Sequence, residues 1–104
     1  MSDAMTQTIA LAASGQRLKV LDVPDGLVAG SRGILRLRVE FDRTWAGFRC
    51  AADFGDDGAV AVRDGVADVP DGAAARKAVR VQLVGQDAQG RMVRTNRVTV
   101  RQDG

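Results

Sequence analysis

The chain has 104 residues, and its 15 Lys and Arg against 13 Asp and Glu leave a net charge of only +2. With no histidine and one cysteine, it cannot build a Ser-His-Asp or Cys-His catalytic site, a zinc cluster or an internal disulfide. The length is that of a single domain, 1–104, able to bury roughly 65% of its unfolded surface without metal or disulfide staples. Phe41, Trp45, Phe48 and Phe54 are the only aromatics, so Val, Leu, Ile and Ala must fill most of the core.

Residues 1–7 are polar and read as a flexible N-terminus, with no basic segment leading into an apolar one as a secretory signal has. No window approaches the roughly 18 apolar residues of a membrane helix. Cytoplasmic synthesis and no membrane partner are the corresponding expectations. From Thr8 onward the dominant period is two, the mark of strands with one dry and one wet face. A strand over Thr8–Ala13 is followed by one containing Leu18, Val20 and Val23. In 34–41, Leu35, Leu37, Val39 and Phe41 share a face opposite Arg36, Arg38 and Glu40. In 48–54, Phe48, Cys50, Ala52 and Phe54 point inward. Asp64-Gly65 joins 59–63 to 66–69 as a two-residue hairpin loop, because a type I′ turn needs positive φ at both central positions. That register sets Val62 against Ala67 and Val60 against Val69. Residues 73–77 allow one helical turn, and Val79, Val81 and Leu83 share the inner face of 78–84. In 92–100 the alternation is interrupted around Arg94–Arg97, as by a bulge or a change of strand partner. Seven or eight short strands at intervals of about ten residues point to an all-β sandwich or barrel.

The residues that invite a chemical reading have plainer ones. Asp53, Asp56 and Asp57 lack the spacing of a calcium loop and read as turn acids. Nothing in the spacing of the carboxylates favours glycoside hydrolysis. Gly26, Gly30 and Gly33 do not match a dinucleotide fingerprint. Cys50, at strand spacing from Phe48 and Ala52, reads as a small core residue. The expectation is a non-enzymatic chain with no cofactor or metal. Arg36 and Arg38 share a strand face, and Arg91, Arg94, Arg97 and Arg101 crowd the C-terminal strand. Arg36, Arg38, Arg94, Arg97 and Arg101 are thus the candidate interaction residues. No aromatic is interleaved for base stacking, which disfavours nucleic acid. Trp45 reads as a plug at the end of the sandwich, with Phe41, Phe48 and Phe54 as its structural companions.

The segment Phe41-Asp42-Arg43-Thr44-Trp45-Ala46-Gly47-Phe48, followed by Ala52-Asp53-Phe54, resembles a group of small phage and prophage tail-associated proteins. In these a Trp-x-Gly turn precedes a strand ending in Ala-x-Phe. Val28-Ala29-Gly30-Ser31, Val69-Pro70, Val81-Gln82-Leu83-Val84-Gly85 and Thr95-Asn96-Arg97-Val98-Thr99-Val100 fit in order. Where that family often carries a Pro-x-Glu-hydrophobic segment after the valine-proline step, this chain has Asp71-Gly72-Ala73-Ala74-Ala75. The resemblance implies an immunoglobulin-like β-sandwich of about 7–8 strands in a tail, baseplate or accessory component. It implies partners among other phage structural proteins or further copies of itself as a homo-oligomer, association with the virion, and no catalytic residues. The alternative is a β-sandwich that binds carbohydrate or a host surface, which needs an exposed aromatic platform near Trp45.

Overall fold

The computed structural model describes residues 7–23 and 35–101. Of the segments singled out above, Val28–Ser31 and the Gly26, Gly30 and Gly33 set lie outside the described residues. So does the expected flexible N-terminus, except Gln7, which already opens a strand.

The described residues form an all-β sandwich of nine strands in two sheets. The first sheet has the order β2 (Arg17–Asp22), β1 (Gln7–Ser14), β3 (Leu35–Phe41), β6 (Val66–Asp68). The second runs β5 (Ala59–Val62), β4 (Arg49–Asp53), β7 (Ala78–Gln86), and then an outer strand in two pieces, β8 (Met92–Arg94) and β9 (Val98–Arg101). A single helical turn, α1 (Asp71–Ala74), precedes β7. Alternation decides which side of each strand is dry. In β3, Leu35, Leu37 and Val39 are buried while Arg36, Arg38 and Glu40 are exposed. Ile9, Leu11, Leu37, Val79, Val81 and Leu83 are almost fully withdrawn from water and form the middle of the core.

These pairings bear out an all-β sandwich and do not confirm the immunoglobulin-like arrangement that the resemblance implies. β1 lies parallel to β3, whereas both sheets of an immunoglobulin domain are antiparallel. The parallel pair arises because β2 returns on one side of β1 and β3 lies on the other.

The Asp64-Gly65 turn has positive φ at both positions, 53° and 76°. The pairing expected beyond it does not form. After the Arg63–Val66 bridge the two arms separate, Val62 pairing with Cys50 in the second sheet and Ala67 with Leu37 in the first. Both arms still send their apolar residues inward, Val60 and Val62 from one layer and Ala67 from the other. The hairpin therefore stitches the sheets together along one side.

The opposite side is closed by the interruption in the last strand. Between the β8 and β9 pairings, three residues, Thr95–Arg97, stand opposite two on β7, Gln82 and Leu83. This is a bulge of one residue, with β7 the partner throughout. The extra residue turns Asn96 out of its own sheet. Its Oδ1 accepts from the Leu18 N–H at 2.7 Å, its Nδ2 donates to the Leu18 carbonyl at 3.0 Å, and its backbone N–H donates to the Gln16 carbonyl at 3.2 Å. The side-chain amide thus stands in for a neighbouring strand along β2, an edge that would otherwise present open donors and acceptors.

Candidate functional site

Three regions of the described surface have enough character to be considered. The first is the end of the sandwich built by the Trp45 segment. Asp42 caps a 3-10 turn over Arg43–Trp45, accepting from the Thr44 N–H at 3.1 Å, and also accepts from the Thr44 and Ser14 hydroxyls. Those two hydroxyl donors, led by Thr44, hold the Asp42 carboxyl below its ordinary pKa against the opposing effect of burial. The turn delivers Trp45 into the core at 6% exposure. Its Nε1 donates to the Gly15 carbonyl at 2.9 Å, and its ring meets Phe41 at 5.4 Å and Phe48 at 5.9 Å between centroids. Beneath the indole lies Gly85, where a Cβ would stand 2.5 Å from the ring. Only glycine lets the indole lie that close to the β7 backbone.

An open groove of ≈ 760 Å³ runs beside this plug, lined by Phe41, Phe48, Cys50, Val62 and the Asp64-Gly65 turn among others. Phe41, Phe48 and Cys50 are half-buried rather than fully enclosed. Burial pushes the Cys50 thiol up to about 11, so it is protonated at neutral pH and is a poor nucleophile. With Trp45 itself buried, the groove offers no broad exposed aromatic face for stacking a sugar ring.

The second region is the far end. Phe54 is buried there, and the acidic turn folds on itself. Asp53 Oδ1 accepts from the Gly55 N–H at 2.8 Å, and Asp57 pairs with Arg76 at 2.7 Å. Among the described residues no group of three or more His, Cys, Asp or Glu is placed to hold a metal ion.

The third region is the outer sheet faces, where the candidate arginines divide. Arg36 and Arg38 lie on the outside of the first sheet, and Arg36 is already paired to Asp68 at 3.0 Å. Arg94 and Arg101 lie on the outside of the second sheet, opposite Val84 and Ala78. Arg97, in the bulge, donates to Gln82 Oε1 at 3.2 Å on that same face. The five do not converge on one surface. The structure brings Arg49 and Arg80 to the second face instead, since Arg49 is opposite Gln86 and Arg80 opposite Thr99. Their outward positions follow from strand alternation. That they share a face with Arg94 and Arg101 follows only from the sheet order.

No family model matches this chain, and comparison with curated proteins and with solved structures finds no match either. Among the described residues no helix is long and apolar enough to cross a membrane.

Proposed function

We propose that the chain is a non-enzymatic structural or interaction module, associated with the tail or baseplate of a phage or prophage particle. The observation that supports this reading is where the distinctive residues go. Trp45 and Gly85 close one end of the sandwich, and Thr95-Asn96 closes one seam. The two elements that carry the resemblance are thus spent on making a rigid block. A rigid block with guarded edges suits an assembly in which many copies or several proteins pack by their surfaces. The alternative, a carbohydrate-binding sandwich, draws support from the half-buried Phe41 and Phe48 beside the groove. It is the weaker of the two because Trp45 offers no exposed ring face.

The test is to induce the prophage in the strain that encodes the chain, purify the particles by density gradient and measure their protein composition by mass spectrometry. The reading expects the chain in particles at a fixed ratio to the tail proteins. Its presence in the lysate with absence from the particles would overturn it.

A further inference from the structure

The outside of the second sheet differs in charge from the outside of the first. Along β1, β2, β3 and β6, Arg17, Lys19, Arg36 and Arg38 are interspersed with Asp22, Glu40 and Asp68, so the signs nearly cancel. The strands of the second sheet point Arg49, Arg80, Arg94 and Arg101 outward with Arg97 beside them, and Asp53 is the one acid that these strands point outward. Asp56 and Asp57 of the adjoining turn line a hollow with Arg80 and Arg97. Asp53 is occupied by the Gly55 N–H. The side chains of Arg49, Arg80, Arg94 and Arg101 make no hydrogen bond or ion pair among the described residues. Across the middle of this face, Ala61, Ala51 and Val84 stand side by side on β5, β4 and β7. Arg94 ends that row, and Met92, 57% exposed, stands one row away.

Small side chains on strands about 4.8 Å apart leave a flat apolar strip that another surface can approach closely. A depleted-charge centre with arginines around it has the composition of a protein interface, in which arginine is enriched and the rim is polar. A nucleic acid would meet the same cations but has nothing to set against the apolar strip, and this face holds no aromatic for stacking. A second copy docking face to face would bring like charges together. We infer that the outer face of the β5-β4-β7-β8/β9 sheet docks an acidic protein surface whose apolar centre covers Ala61, Ala51 and Val84 and whose carboxylates meet the surrounding arginines. This inference rests on reading the chain as an interaction module and names the chemistry of its partner.

The test titrates the ¹⁵N-labelled full chain, at low and high salt, with a short peptide alternating glutamate and leucine and, separately, with duplex DNA. Saturable amide shifts at Ala51, Ala61, Val84 and Arg94 are expected with the peptide, weakening as salt rises. Peptide affinity should fall at least about tenfold in the combined Arg80→Ser, Arg94→Ser, Arg101→Ser variant and in Ala51→Glu, and stay unchanged in Arg36→Ser, Arg38→Ser. Unsaturable shifts, shifts centred on β3, an equal loss in the β3 variant, or tighter binding of the duplex would each overturn the inference. Failure here with the chain present in purified particles would leave the structural-module reading standing. Binding here with the chain absent from particles would remove the particle and keep the docking face.

Discussion

The two ends of the sandwich are closed by different physics. At one end a buried indole lies on a glycine, donates to a carbonyl and is flanked by two phenyl rings. The β1–β2 turn is drawn into the same cluster, with Gly15 bonded to Trp45 and to the Thr44 hydroxyl, Ser14 to Asp42, and Gln16 to Asn96. At the other end Phe54 is buried as well, and beside it lies an ion pair between Asp57 and Arg76 whose side chains are 14% and 56% exposed. Apolar burial and enclosed hydrogen bonds carry most of the free energy of a fold, whereas solvent weakens a pair whose guanidinium is more than half exposed. The Trp45 end should therefore govern stability, and the Asp57–Arg76 end should tolerate change.

That contrast breaks most directly with Trp45→Ala, which leaves a large cavity between the layers. It should cost about 3–5 kcal/mol, a large share of a small domain's total stability, measured as a lowered midpoint in urea. Gly85→Ala tests the other side of the same contact. Its new methyl must push the indole off β7, at about 1–3 kcal/mol, and a changed near-ultraviolet dichroism signal of the single Trp would report the displacement. Asn96→Ala removes the side-chain hydrogen bonds to Leu18 and should cost about 1–2 kcal/mol. Faster amide exchange at Leu18, without equal loss at β3, would assign that cost to the seam.

Acid sharpens the comparison more gently. Because the Asp42 carboxyl is held below its ordinary range by the Thr44 and Ser14 hydroxyls, the unfolded chain takes up that proton first as pH falls. Its contribution is fully present above about pH 4 and fades as pH drops through the lowered value. Trp45 fluorescence should follow that loss, and Asp42→Asn should flatten it. The smallest effect is expected at the far end, where Arg76→Ala should leave the urea midpoint within error at moderate salt. A loss there as large as that of Asn96→Ala would show that the two ends are not so different.

The strands themselves were readable because alternation is a local property. Leu35, Leu37 and Val39 against Arg36 and Arg38 define the two faces of β3 whatever its neighbours are. The positive φ at Asp64 and Gly65 was readable for the same reason, since it depends on two residues. The break near Arg94–Arg97 could be seen as a failure of period two, but not that it aims Asn96 at β2. The place of Trp45 between two strands marked it as a core candidate, and its side chain is buried. The glycine beneath it, Gly85, was not readable, because 40 positions separate residues that touch only in the fold.

By itself, the sequence determined an all-β chain of short alternating strands with a mostly aliphatic core and no histidine chemistry. Those properties live within windows of a few residues or in composition. Only the tertiary structure decided that β1 runs parallel to β3, that the 64–65 hairpin opens between two sheets, and that Arg49, Arg80, Arg94 and Arg101 share one face while Arg36 and Arg38 occupy the other. Each of these depends on which strand lies next to which. Pairing is chosen by burial summed over the whole core, a quantity that no local pattern contains.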